Sequence, residues 1–348
     1  MPVIFYLPFT NDGIVTVPSR VEDYWPWLSR HRRVGGGKYA WTLQTYLHLR
    51  DAGVSCQLAN RFPTRGIVIS HRDFLPVFLR PRVGVFLICI KPDRQAHTWA
   101  HYYIVQNGHD SVRSTRKGRN RTTVLPVWPQ PALIPRRADR GDLCRNVAYF
   151  GRNLNLADEL KAHGWRRELA ALDFNWSVPS LEHWNDYSAV DVTLSVRSFG
   201  GEGPSTDPVF DANSKPPSKL INSWIAGVPA IVGRESAYES IRESPLDYLD
   251  AGTPDEAKEA LIELRTNRHR YHQMVAHGRL RARDFTAEAL SRRWQAMLRF
   301  DVSAAYAEWR RQGPLQRGFA SARGVINYLT RVEHWRHLNT ISRKQRHR

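Results

Sequence analysis

The residues best equipped for chemistry gather around the segment "KPPSKLINSWIAGVPAIVG", Lys215 to Gly233. Pro216 and Pro217 block a helix, Ser218 can cap one, "KLINSWIA" continues it and Gly227 stops it, after which "VPAIVG" reads as a buried strand. A helix starting at Ser218 turns unpaired backbone N–H groups and the positive end of its dipole toward the preceding loop, a site ready for an anion. Lys215 and Lys219 add two full charges there. Upstream, "NVAYFGR" ends a strand on Gly151 and Arg152, and the long loop "SVRSFGGEGPSTDPVFDANSKPPSK" begins near Arg197. In a parallel sheet, Arg152, Arg197, Lys219 and the helix N-terminus share one face. That set suits a diphosphate, hence a nucleotide, and Asn222, one turn into the helix, is placed to meet a ribose hydroxyl.

A second loop, "RRVGGGKYAWTLQTY", places Gly35, Gly36 and Gly37 before a helix, where small residues let the backbone approach a ligand closely. It is not the G-x-G-x-x-G pattern, and no other segment is, which disfavours a nicotinamide dehydrogenase. For acid–base work the first candidate is His71, directly after the apolar run "GIVIS", and the second is Asp73. His97, His101 and His109 come next, whereas Asp191 reads as strand structure.

The 348 residues suggest two α/β domains. In the first half, short apolar runs ("VIFYL", "VSCQLA", "GIVIS", "VGVFLICI") alternate with a helical pattern, "KYAWTLQTYLHLRDAG". A basic, Pro-rich passage follows, "LPVWPQPALIPRRADRGDLCRN", which reads as a linker. Alternation then resumes with strand "VAYFG", helix "NLADELKAHGWRRELAAL", strand "NWSV", helix "LEHWNDYSA" and strand "VDVTLSV". Amphipathic helices follow to about Gly313, then a last helical region from about Arg317 to Leu338. The expected division is 1–140, 141–316 and a C-terminal helix with a basic tail over 317–348. Open α/β domains bind ligands at the C-terminal ends of their strands, so a cleft between the two is the expected site.

Composition narrows the partners. Lys and Arg number 51 against 33 Asp and Glu, a net charge of +18, which favours nucleic acid, anionic membrane or phosphorylated ligands. Two clusters stand out, Val112 to Arg121 and Ser342 to Arg348. Three widely spaced cysteines without a CxxC pair support neither a disulfide framework nor a zinc ribbon, and a reducing cytoplasm fits them. The longest apolar run, "VGVFLICI", falls far short of the ~20 residues that span a bilayer.

The segment Lys215–Gly233, with "VAYFGR" before it, resembles the donor-binding domain of GT-B glycosyltransferases. "GGGKYAWTLQTYLHLRDAGVSCQL" is similar to the glycine loop, helix and second strand that open the acceptor domain of that superfamily, and "RARDFTAEALSRRWQAML" resembles its late helices. The resemblance implies a GT-B-like α/β fold of two Rossmann-like domains facing across a cleft, with a C-terminal helix returning to the N-terminal domain. It implies transfer of a sugar from a nucleotide-diphosphate sugar to an acceptor hydroxyl, with neither metal nor cofactor, in polysaccharide or glycoconjugate synthesis. Two positions depart from the family pattern: Ala157 stands where a lysine is common, and Asn222 where a ribose-binding glutamate is common. Lys219 or Arg197 must then supply the second cation. The expected acceptor is a saccharide or a lipid-linked molecule, with the loop Arg113–Arg121 meeting either anionic lipid at the inner face of the membrane or a lipid-linked pyrophosphate acceptor. Rival readings are a basic nucleic-acid-binding protein, for which no zinc-finger, RNP-like or basic-zipper pattern is present, and a nucleotide-sugar epimerase on the same fold.

Overall fold

In the computed structural model, residues 3–8, 16–31, 37–110, 112, 121–200, 214–313, 315–319, 322, 324–325 and 328–329 are described. Gly35, Gly36, the basic run 113–120 and the tail from Ser342 lie outside these residues.

Two parallel sheets organise the chain. The first has the order β2-β1-β3-β4-β5-β6, built from β1 (Val3–Tyr6), β2 (Cys56–Ala59), β3 (Gly66–His71), β4 (Val85–Ile90), β5 (Tyr102–Val105) and β6 (Thr122–Val124). The second has the order β11-β10-β9-β7-β8, from β7 (Asn146–Ala148), β8 (Asn175–Ser177), β9 (Val192–Ser195), β10 (Ala230–Gly233) and β11 (Leu249–Ala251). Both are doubly wound, and each reverses direction once, between β1 and β3 and between β7 and β9. Ligands of such sheets bind beyond the strand C-termini at that reversal. β3, β4, β9 and β10 are almost wholly buried, which explains the apolar runs of β3, β4 and β10, while β9 alternates Val192 and Leu194 with buried Thr193 and Ser195. This is the expected α/β class with two Rossmann-like sheets.

β5, β6 and β11 were not anticipated. Each is only three or four residues long, and β6 and β11 are partly exposed. The expected helix over "LEHWNDYSA" is reduced to a single turn at Leu181–His183, with an Asp186 turn and an isolated bridge between Asp186 and Ile134 beyond it.

The helical stretch after the first glycine loop runs through Gly37–Tyr39, Ala40–Gln44 and Thr45–Asp51, with a widened turn in its middle. Trp41, Leu43, Leu47 and Leu49 are buried against the sheet and its neighbours. In the second unit the helix Ser218–Ala226 follows the long loop, and Gly227 ends it in the left-handed conformation at φ 72°. Ser223 Oγ donates to the Lys219 carbonyl and pairs with Thr193 Oγ1 at 2.7 Å, which pins this helix to β9.

The chain crosses between units twice. Leu125 and Trp128 belong to the core of the first sheet, whereas Ile134 donates its N–H to Asn185 and Arg136 donates to the Ala226 carbonyl, so the linker joins the second unit ahead of residue 140. The return starts earlier than Arg317: Leu290, Trp294, Met297, Val302 and Trp309 are buried in the first sheet's core together with Phe5, Ile69 and Ile88. Beyond them, Tyr328 stacks on Trp99 of the first unit.

Candidate anion site and the interface beside it

The two sheets meet through the loops at their C-terminal edges. Lys215 Nζ pairs with Asp93 at 2.7 Å, Gln106 Nε2 donates to the Ser214 carbonyl at 2.7 Å, and Asn107 Nδ2 reaches Lys215 O and Ser236 Oγ. Between them lies a buried polar cluster. Lys91, one residue past β4 and 1% exposed, donates from Nζ to Asp110 at 2.7 Å and to Ser214 Oγ at 2.8 Å, and Ser214 donates to the same Asp110 oxygen. Every member of this cluster has a partner, as burial of a charge requires.

The helix at Ser218 stands immediately beyond this strap. It begins where expected, with one local difference: Pro217 occupies the cap position, Ser218 is the first helical residue, and no side chain caps the first turn. Lys219 lies half-buried in that turn with Nζ 5.1 Å from the centre of the Tyr149 ring. Among the described residues no carboxylate pairs with it. Burial first, and then the nearby Arg197 and Lys215 charges, hold its ammonium well below the usual lysine range.

Gly151 explains how the loop after β7 comes so near. A Cβ there would sit 2.8 Å from Tyr149 Oη and 3.0 Å from Lys219 Cε, so the position takes only glycine without displacing its neighbours. Tyr149 donates from Oη to the Asn155 carbonyl at 2.7 Å, tying down the turn that carries Arg152. Arg152 itself is exposed, with no ion pair among the described residues. Arg197, after β9, is different: its guanidinium pairs with the buried Glu235 carboxylate, which also accepts from its backbone N–H. Glu235 was missed from sequence, although its place just after strand "AIVG" was the available signal.

The structure thus brings Gly151, Arg152, Arg197, Lys215, Ser218 and Lys219 to the reversal point of the second sheet. Their charges are spent unequally. Lys215 is matched by Asp93 and Arg197 by Glu235, which among the described residues leaves exposed Arg152, half-buried Lys219 and the uncapped helix turn. Asn222 is placed differently from the expectation: its Oδ1 accepts from Gln130 N at 2.9 Å and its side chain bonds Tyr187, so the carboxamide holds the linker. Asp191 is structural as read, its buried carboxylate engaged by Arg136, Arg140 and two backbone N–H groups at the opposite end of β9.

Across the interface, His71 closes β3 at the first sheet's own reversal point. It is 3% exposed, its Nδ1 accepts from Asp73 N at 3.0 Å, and burial pushes its pKa down to about 4. A neutral imidazole has one acceptor nitrogen, and here that one is taken, so the proton sits on Nε2. Asp73, with a third of its side chain exposed, pairs with Arg94 Nε at 3.0 Å. His97 is also buried and His101 is partly buried; both are bonded to backbone and pushed down to about 4 by loss of solvation, while His109 is exposed. Gly37 begins its helix with open space around it.

No family model and no curated protein matches the sequence. Solved structures similar to it include Anabaena HepE in complex with UDP-glucose (9% identity, 86% of this chain and 99% of that one, TM-score 0.49). Others are AviGT4, a glycosyltransferase of avilamycin A biosynthesis (14%, 78% and 91%, 0.47), and the apo lipopolysaccharide outer core galactosyltransferase WaaB (13%, 74% and 80%, 0.44). The site itself consists of two doubly wound sheets that meet by the loops at their C-terminal edges, with one lysine, Lys219, that has no carboxylate partner among the described residues at the reversal point of the second.

Proposed function

We propose that the chain is a glycosyltransferase of GT-B type, moving a sugar from a nucleoside-diphosphate sugar to an acceptor hydroxyl in polysaccharide or glycoconjugate assembly. The observation that carries this is Lys219, half-buried with no carboxylate paired to it among the described residues, set in an uncapped helix turn that Gly151 lets the loop after β7 approach closely. A bound diphosphate would supply the missing countercharge. As the acceptor oxygen bonds to the anomeric carbon, the bond from that carbon to the diphosphate breaks and its electron pair leaves with the phosphate. Lys219, the helix N–H groups, Arg152 and Arg197 are the cations and donors that would stabilise this charge, in place of a divalent metal. On the acceptor side, Asp73 suits the base that takes the hydroxyl proton, since its carboxylate is partly open to solvent, while His71 suits a donor through Nε2.

Thermal shift with UDP, GDP, dTDP, ADP and a short oligonucleotide, on the wild type and on Lys219→Met, tests the reading. Stabilisation by one nucleoside diphosphate that weakens in the variant supports it, because a ligand bound only to the folded state raises the melting temperature. Stabilisation by the oligonucleotide alone, abolished by salt, would replace it with nucleic-acid binding. Sugar transfer that persists in excess EDTA would support catalysis by protein cations, and loss rescued by Mg²⁺ would refute it.

A further inference from the structure

We infer that one face of the first unit docks on an anionic lipid surface, through a patch separate from the candidate anion site. Twelve large apolar side chains are exposed among the described residues, and six of them come from two short segments: Val77, Phe78 and Val83 between β3 and β4, and Leu315, Phe319 and Leu329 near the C-terminus. The segments touch. Phe78 meets Tyr328 edge to face at 5.5 Å between ring centres, and Arg317 Nη1 donates to the Val83 carbonyl at 3.0 Å. Phe78 and Phe319 are 74% and 75% exposed, so the patch presents two rings standing clear of the surface. An apolar concentration of this kind marks an interaction surface.

Charge identifies the occupant. No Asp or Glu occurs from Phe74 to Pro92, a stretch carrying the exposed Arg80 and Arg82, and none occurs from Trp309 to Val332, which carries five arginines. In a second copy these two stretches would set arginine against arginine, and neither stretch offers an acid to pair with them. A nucleic acid would engage the arginines but leave Val77, Val83, Leu315 and Leu329, which have no stacking face, in water. A bilayer rich in anionic headgroups satisfies both halves, taking the apolar side chains at the headgroup boundary while the arginines meet phosphates. Among the described residues no helix is long and apolar enough to cross a membrane, so this contact is with the surface.

Co-sedimentation with phosphatidylcholine vesicles, with and without phosphatidylglycerol, at low and moderate salt, tests the surface without reference to any nucleotide. The expected result is binding that requires the anionic lipid, weakens with salt, falls about tenfold or more in Phe78→Ser/Phe319→Ser, and is unchanged in Leu280→Ser, an exposed apolar residue of the second unit. Arg80→Ser/Arg82→Ser provides a second variant and should weaken binding severalfold. Circular dichroism confirms folding of each. Absence of binding to anionic vesicles, or binding indifferent to both double variants, overturns the proposal. Conversion of a dimer to a monomer by Phe78→Ser/Phe319→Ser in light scattering would also overturn it, reassigning the patch to self-association.

Discussion

Two lysines stand on opposite sides of the interface, and burial treats them differently. Lys91, from the first unit, is sealed from water and fully matched by Asp110 and Ser214. Lys219, from the second, is half-buried over an aromatic ring beside Arg197 and Lys215, and no carboxylate pairs with it among the described residues. A matched buried pair specifies how two surfaces seat together. An unmatched one is costly unless something outside the chain completes it, which is the physical signature of a binding site. The same element type, a lysine just past a strand or just inside a helix, thus serves architecture in one place and recognition in the other.

The comparison can be broken most forcefully at Lys91. Asp110→Ala strands that ammonium in a dry interface and is expected to cost about 3–5 kcal/mol in urea unfolding, with much of the loss recovered in Asp110→Ala/Lys91→Met. A loss below about 1 kcal/mol would mean the pair is not architectural. Lys219→Met should do the reverse. Its melting temperature should hold or rise, while nucleoside-diphosphate affinity by calorimetry falls between about tenfold and a hundredfold, the loss of one charge-assisted contact. Equal damage to both properties would erase the distinction.

Two smaller effects are expected at Lys219 and Arg197. Since Lys219 is depressed in the free protein and an anion raises it again, binding takes up a proton in the window between the two values. Affinity should be full below the free-state pKa and should weaken as pH rises through that window, and the dependence should vanish in Lys219→Met. Glu235→Gln releases Arg197 from its countercharge, so nucleotide affinity should rise severalfold, about three to ten, while stability falls. Unchanged affinity would place Arg197 outside the site.

Much of the candidate site was legible because its signals are local. Two prolines, a run of helix formers and a glycine bound Ser218–Ala226 whatever surrounds it, and Gly151 declares a close approach. Strands buried on both faces announce themselves as apolar runs, so β3, β4 and β10 were readable, and β9 was readable by its alternation, whereas β5, β6 and β11 were too short or too polar at their edges. Asn222 shows the limit: a carboxamide on a helix face meets whatever the fold brings to it, and the fold brings the linker's Gln130.

By itself, then, the sequence determined the class, two α/β units, and the place of an anion-seeking helix start, because backbone propensity and charge need no distant partner. Tertiary structure alone decided which charges remain to be used. Lys215 meets Asp93 across 122 residues and Arg197 meets Glu235 across 38. Tertiary structure likewise returned the helices after Ala287 to the first core and brought two distant segments together where Phe78 meets Tyr328. Ion pairing and packing depend on proximity in space, and proximity between remote residues exists only once the sheets have formed and met.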